Sequence, residues 1–349
     1  MLARLTLKDL TVFSSAEFQF AGGLNVIVGE NGSGKSHVLK AAYSVASVLS
    51  RGAKSSGSPA PTKAYLETAI AGKLRGVFRP ERIGRLARRQ QGVSGCEIAM
   101  AFKPSTHNIA FSFNTKSATE VRVKTVPSKW LTQPSVYLPT RELLTIYPGF
   151  VSLYETSELP FEETWRDTCV LLGAPLAKGR RLGEINELLR PLEEVLGGKV
   201  VLEDGRFYVR SDAGKLEAHL VAEGFRKLAM IAQLIATGSL IGTGRLFWDE
   251  PEANLNPKII TRVARTILQL CKSGIQVFAA SHSLFLLREL DILLKTDEFS
   301  DVPARFFGLH PSKDGVTVEQ GDTVDDIGPI DALQEELSQS DRYLAVEAD

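Results

Sequence analysis

Gly29-Glu30-Asn31-Gly32-Ser33-Gly34-Lys35-Ser36 constrains this chain more than any other stretch. It fits G-x-x-x-x-G-K-[ST], the pattern of a phosphate-binding loop. Leu24-Asn25-Val26-Ile27-Val28 ahead of it is a short apolar run that reads as a buried strand. Over 35–49 the apolar residues Val38, Leu39, Ala42, Val45, Val48 and Leu49 recur at helical spacing. Strand, glycine-rich turn and helix is the setting such a loop needs. Glycines let the backbone close around phosphate oxygens because no Cβ blocks the approach. The loop N–H groups then sit at the positive end of the helix dipole. Residues 29–36, with His37 next in the helix, are the expected nucleotide-binding set. Lys35 would reach the β- and γ-phosphates, and Ser36 would hold Mg²⁺.

A second stretch supplies acids. Leu246-Phe247-Trp248-Asp249-Glu250 reads as a buried parallel strand whose carboxyl end delivers two carboxylates. Asp249 is expected to hold Mg²⁺ through its water shell, since Mg²⁺ dehydrates reluctantly. Glu250 points differently and is free to polarise the water attacking the γ-phosphate. His282 follows the next buried strand, Ile275-Gln276-Val277-Phe278-Ala279-Ala280, in a position to bond that phosphate. Glu250, His282 and Lys35 are therefore the candidate catalytic residues, and Ser36 and Asp249 the candidate metal ligands.

The chain has 349 residues, enough for two or three ordinary domains or one large α/β domain with an inserted lobe. Its 41 basic and 41 acidic residues cancel, so nucleic acid would have to be held by a local patch. Cys96, Cys169 and Cys271 are far apart and odd in number, which suggests buried thiols and neither disulfides nor a zinc site. Residues 1–10 alternate and carry charge, unlike a signal peptide, and no apolar run is long enough to span a bilayer. A cytoplasmic protein without membrane contact is expected.

Strands are expected over 2–28, with one from Leu2 to Leu10 and a second at Ala16-Glu17-Phe18-Gln19-Phe20. Residues 51–62 are rich in Gly, Ser, Ala and Pro and read as a surface loop. Residues 63–90 read as helical with a break near Pro80. Within this stretch Arg82, Arg85 and Arg89 would share one helix face. That face is either a phosphate-contacting patch for DNA or a solvated or partner-docking surface. The lack of interleaved aromatics favours the second. An antiparallel meander is expected over 94–126, a strand at 135–138, and helices over 141–196 broken by Pro148, Pro160 and Pro175. A hairpin follows over 200–209, then helices over 221–238 and 257–271 and after Ser283, two short strands near Phe306 and Val316, and an acidic helix over 330–345.

The order of phosphate loop, Leu-Phe-Trp-Asp-Glu-Pro-Glu-Ala-Asn-Leu-Asn-Pro and Ser-His-Ser resembles the ABC-type ATPase superfamily. Within it the chain is similar, over about residues 1–295, to the non-transporter branch of SMC, RecF and OLD-like AAA-family ATPases, found in genome maintenance and phage defence. The resemblance implies an α/β fold: an ABC-ATPase head with a mixed core sheet around the phosphate loop, an antiparallel β subdomain and an inserted helical lobe. Three lobes are expected. Residues 1–140 would hold the phosphate loop and meander, 141–220 the helical lobe and hairpin, and 221–349 the acidic strand, the histidine and the tail. The resemblance also implies ATP and Mg²⁺ held between two heads, the signature motif of one capping the γ-phosphate held by the other. Ala222-Glu223-Gly224-Phe225-Arg226-Lys227-Leu228 resembles Ser-Gly-Gly-Gln-x-x-Leu with the serine and first glycine replaced. Gly224 would keep the backbone capping role, and Arg226 would bring charge to the transferred phosphoryl group. Tyr137-Leu138-Pro139-Thr140-Arg141-Glu142 resembles an OLD-like motif and points to Arg141. Gln133 lies nearby, but no coupling glutamine is assigned.

Three kinds of head compete. An OLD-like defence ATPase would work as a homodimer or higher homo-oligomer with a separate effector, a nuclease being one candidate. The stretch after His282 is too short for the nuclease domain OLD-like proteins often carry. A RecF-like repair head would hold DNA through the 75–89 arginines. A transporter subunit is disfavoured by the long span between Ser36 and Glu223 and by the altered signature. No sustained heptad run predicts SMC-type arms. The arginine stretch and the acidic 331–349 tail are the expected partner surfaces. A nucleotide-gated scaffold with little turnover is the non-catalytic alternative.

Overall fold

The computed structural model describes residues 1–89, 92–179 and 182–347. The chain opens with an antiparallel hairpin, β1 (Leu2–Leu10) and β2 (Phe13–Gln19), followed by β3 (Leu24–Gly29), α1 (Lys35–Ser56) and α2 (Lys63–Phe78). β4 (Gly95–Phe102), β5 (Ile109–Asn114), β6 (Arg122–Thr125) and β7 (Ser135–Leu138) come next. Then follow α3 (Tyr147–Thr156), α4 (Glu163–Leu172), α5 (Leu182–Leu196) and the strands β8 (Lys199–Glu203), β9 (Arg206–Ser211) and β10 (Gly214–Glu217). The last third holds α6 (Glu223–Ala236), β11 (Gly244–Asp249), α7 (Pro257–Lys272), β12 (Ile275–Ser281), α8 (Leu284–Leu294), β13 (Ala304–Ser312), β14 (Gly315–Gly321) and α9 (Asp331–Glu347).

The core sheet runs β14-β13-β3-β12-β11-β7. Only β14 is antiparallel to its neighbour, so the sheet is mixed. β3 and β12 are buried at every residue, as a parallel strand covered on both faces must be. Successive residues divide between two cores. Val26, Val28, Leu246 and Trp248 pack toward α5, α6, α7 and α8. Ile27, Tyr137, Phe247 and Phe278 pack toward α1, α2 and the second sheet, β2-β1-β4-β5-β6. Buried Gln276 fastens the two sheets: its side chain accepts from Leu2 N at 2.9 Å and donates to Leu2 O at 2.7 Å. The α/β class, mixed sheet and antiparallel subdomain agree with the sequence reading. Cys96, Cys169 and Cys271 are buried free thiols. Among the described residues no helix is long and apolar enough to cross a membrane.

Three local expectations need correction. α1 continues to Ser56, so half of the expected 51–62 loop is helical. The arginines do not share a helix face: α2 ends at Phe78, Arg79 caps it in a left-handed conformation (φ 58°), and only 83–86 forms a short 3-10 turn. Proline at position 80 disfavours continuing the helix through Arg79. Residue 90 of that stretch, and 180 and 181 of the helical 141–196 stretch, lie outside the described residues. The 200–209 hairpin gains a third strand, β10, all four of whose residues are exposed. With neither face buried, it has no apolar alternation to reveal it.

One buried carboxylate ties three helices together. Asp167 on α4 pairs with Lys73 on α2 and with Arg51 on α1 (2.8 Å), and accepts from the Tyr43 hydroxyl on α1 at 2.5 Å. Burial alone would raise its pKa, but Lys73 and Arg51 outweigh burial and hold it at about 2. The stability this contributes is fully present above the ordinary value of 3.8 and is lost as pH falls through about 2. Asp167→Asn takes a carboxylate from Arg51 and leaves buried Lys73 with Glu163 alone (2.8 Å), and is expected to cost about 3 kcal/mol at neutral pH. Urea unfolding should show that gap narrowing as pH falls from 3.8 toward 2, because only the wild type loses the contribution. A constant gap would mean the carboxylate's charge is not what holds the helices.

Candidate active site

β3, β12 and β11 are parallel neighbours, so their carboxyl ends open on one edge of the sheet. β3 ends at Gly29, and α1 begins at Lys35 with Gly34 capping it at φ 94°. A Cβ on Gly34 would lie 2.7 Å from Val12 and 2.8 Å from the Phe13 ring, so this turn requires glycine both for space and for conformation. Ser33 Oγ is buried and makes no hydrogen bond. Lys35, 6% exposed, donates to the carbonyls of Gly29 (2.7 Å) and Glu30 (2.9 Å). Burial lowers its pKa, opposed by Glu250 and Asp249. Backbone donors, an unpartnered hydroxyl and an ammonium at a helix N-terminus suit phosphate oxygens.

Asp249 ends β11. Its Oδ1 accepts from Ser36 Oγ at 2.9 Å and its Oδ2 from the Tyr137 hydroxyl at 3.1 Å. Burial raises the Asp249 pKa, and the two hydroxyls work against that rise. Adjacent hard oxygens from Ser36 and Asp249 fit a divalent cation such as Mg²⁺, which keeps most of its waters and needs few protein ligands. The sequence places Tyr137 in a strand and at the start of the 137–142 motif, without a site role of its own. Its role comes from β7 lying beside β11.

Glu250 follows with left-handed backbone (φ 48°), its N–H donating to Ala280 O at 2.9 Å. For a residue with a Cβ this costs on the order of 1 kcal/mol. Lys227 from α6, 2% exposed, donates to Glu250 O (2.8 Å) and Ala253 O (3.2 Å). Burial pushes its pKa down to about 8, with Glu252 and Glu250 resisting. Glu252 Oε1 accepts from Ser281 Oγ (2.7 Å) and from His282 N (3.2 Å), tying this turn to the end of β12. His282 Nδ1 lies 3.3 Å from Glu250 Oε1 and 3.7 Å from Glu252 Oε1, with hydrogen-bond geometry to neither. The phosphate loop, Ser36, Asp249, Glu250 and His282 are thus brought to one edge.

Other expected residues have different surroundings. Arg226 Nε donates to Glu142 Oε1 (2.8 Å) and Nη1 to Val221 O (2.6 Å), so its charge serves a local clamp. Buried Glu142, which also accepts from Leu144 N at 2.8 Å, is the built-in residue of the 137–142 motif, whereas Arg141 is exposed. Gly224 faces the turn after Glu250: a Cβ there would lie 3.1 Å from Leu255. His37 Nδ1 lies 3.0 Å from Thr11 Oγ1, and burial lowers its pKa. Gln133 precedes β7, at the opposite edge of the sheet, where its carbonyl accepts from Arg245. Arg85, Arg88 and Arg89 line a pocket of about 500 Å³ together with Thr11, Val12 and Gly32, beside the tip of the phosphate loop.

Residues 143–288 match the family model described as "AAA domain, putative AbiEii toxin, Type IV TA system", and residues 4–42 match a model described as "AAA domain". No curated protein matches the chain. Among solved structures, an SMC head bound to the C-winged helix domain of ScpA superposes with TM-score 0.55 at 15% identity, covering 93% of this chain and 98% of that one. An SMC head with an extended coiled coil, bound to the C-terminal domain of ScpA from Pyrococcus furiosus, gives TM-score 0.53 at 13% identity, covering 100% and 99%. This is an SMC-head-like fold. The expected phosphate loop falls in one matched AAA segment and the expected acidic strand in the other.

Tyr137→Phe leaves Asp249 Oδ2 buried without its partner, at about 1–3 kcal/mol. Calorimetric titration should show Mg²⁺-dependent ATP binding weakened by about five- to tenfold. ATP binding in a chelator should be unchanged. Equal loss in both conditions would show that Tyr137 supports the fold and not the Ser36–Asp249 pair.

Proposed function

We propose that this SMC-like head is a Mg²⁺-dependent ATPase that closes as a homodimer around ATP and gates a separate effector protein. The observation that carries the reading is the convergence of Lys35, Ser36, Asp249, Glu250 and His282 at the carboxyl ends of β3, β11 and β12. Ser36 and Asp249 would hold Mg²⁺, which supplies charge neutralisation for the phosphates. Lys35 would exchange the Gly29 and Glu30 carbonyls for phosphate oxygens. Glu250 orients a water and takes its proton as the water oxygen bonds the γ-phosphorus and the bond to the ADP oxygen breaks. His282 holds the γ-phosphate and, through its approach to Glu250, registers its departure.

The solved SMC heads are bound to ScpA domains, which favours a protein partner here too. The description naming a toxin of a toxin–antitoxin system favours a role in bacterial anti-phage defence, with the toxic activity on the effector. We place the expected lobes accordingly: 1–140 and 221–349 build the nucleotide edge, and 141–220 is the lobe that conveys its state. A RecF-like reading is favoured by one observation, the arginines beside Gly32, which could hold DNA phosphates next to the nucleotide.

ATPase rate and molar mass, measured together with and without ATP–Mg²⁺ and duplex DNA, test these readings. Lys35→Ala is expected to abolish nucleotide binding. Glu250→Gln is expected to cut turnover by about a hundredfold or more and to accumulate an ATP-bound dimer. Wild-type turnover in Glu250→Gln would remove the general-base assignment and leave a scaffold. Turnover that rises with DNA, and loses that rise when Arg85 and Arg89 are reversed to Glu, would replace the effector reading with the repair one.

A further inference from the structure

The turn after β11 is held from outside itself. Glu250 and Asn254 both have left-handed backbone, at φ 48° and 62°. Between them the turn directs two carbonyls, of Glu250 and Ala253, onto one ammonium, that of Lys227. Asn254 Nδ2 donates to Glu223 Oε1 at 2.9 Å, and a Cβ on Gly224 would meet Leu255 at 3.1 Å and Ile259 at 3.2 Å. Glu223, Gly224 and Lys227 all belong to the first turns of α6. The N-terminus of α6 and the turn carrying Glu250 therefore move as one piece.

We propose that Lys227 is a positioning residue: it fixes the Glu250 turn to the N-terminus of α6, so that whatever α6 contacts sets the aim of the general base in the same head. This rests on the ATPase reading above. A side chain needed only for packing would not be a lysine, because an apolar group of the same length fills the space without burying a charge. The ammonium is retained because it satisfies the Ala253 carbonyl and adds a second donor to the Glu250 carbonyl, which also accepts from Ala253 N at 3.1 Å. It grips the backbone of Glu250 and leaves the carboxylate free. Its effect should fall on the chemical step and not on nucleotide binding. Lys35 and Ser36 bond Gly29, Glu30 and Asp249, none of them on α6.

The test uses the full chain and ATP–Mg²⁺. Lys227→Met keeps the length and removes the donors. Asn254→Gly keeps the left-handed backbone and removes the second bond to α6. Lys227→Met is expected to lower kcat by about ten- to a hundredfold, as misplaced catalytic groups do. KM and the Kd for a fluorescent ATP analogue should stay within about twofold, the pattern of an interaction made in the transition state. Asn254→Gly should lower kcat in the same direction by a smaller factor. Unchanged kcat in Lys227→Met overturns the proposal. So does a joint fall of kcat, ATP affinity and Tm in Lys227→Met with Asn254→Gly at the wild-type rate, since that is a packing defect. Failure of the ATPase reading itself looks different: the wild type would then show no turnover that Glu250→Gln removes.

Discussion

The hydrogen-bonded contact of β3, β12 and β11 is the constraint from which the site follows. Each strand is covered on both faces, so its polar backbone can be satisfied only by a parallel neighbour in register. Val28 is paired with Ser281, and Ala280 with Asp249. This register brings Gly29, Asp249 and His282 to the same edge, although they are far apart in the chain. The site chemistry is then confined to the few residues that follow each strand end. The 22-residue helix α1 aims its N-terminus at that edge because it must return over the sheet to bury Val38, Ala42, Val45 and Leu49.

Charge at this edge is arranged in opposed layers. Lys35 and Lys227, both buried, donate to backbone carbonyls and not to the carboxylates nearby. Asp249 accepts from two hydroxyls, and Glu252 Oε1 from a hydroxyl and an N–H, while Glu252 Oε2 is buried without a hydrogen bond. No lysine–carboxylate bond neutralises the site directly, so the acids keep lone pairs for a cation, and Lys35 keeps bonds it can exchange. A direct ion pair between Lys35 and Asp249 would have closed the site electrostatically, since separating two buried partners is costly.

Much of this was legible in the sequence, for a physical reason. Strands buried on both faces must be uninterrupted apolar runs, and their carboxyl ends must carry the chemistry, so 24–36, 246–250 and 275–282 announced themselves. What stayed hidden depends on distant partners or on faces without pattern. Tyr137 looks like any strand aromatic until β7 is set beside β11. Lys227 sits in a helical pattern as one more polar residue. Glu142 was passed over for Arg141, because an arginine suggests phosphate, whereas the fold buries the neighbouring acid against Arg226. The arginine stretch misled for the opposite reason: a spacing of three and four implies a helix face only where a helix exists, and Arg79 and Pro80 end this one.

The resemblance to SMC heads sharpens the question of output. One of those structures carries an extended coiled coil. In this chain the longest helix among the described residues is α1, which is buried in the core along most of its length. On the proposed reading, the state of the nucleotide edge is conveyed through the compact lobe. α6 is the natural route: Leu228, Ile231 and Ile235 share a core with Leu188, Leu189 and Leu192 of α5, and Gln233 donates to Leu172 O at the end of α4. Close-packed interiors transmit small displacements without absorbing them. On the proposed reading, a shift at the N-terminus of α6 would therefore reach the Glu250 turn through Lys227 and, at its other face, the α4–α5 lobe through these contacts. One helix would set the aim of the base and report nucleotide state to whatever protein docks on that lobe.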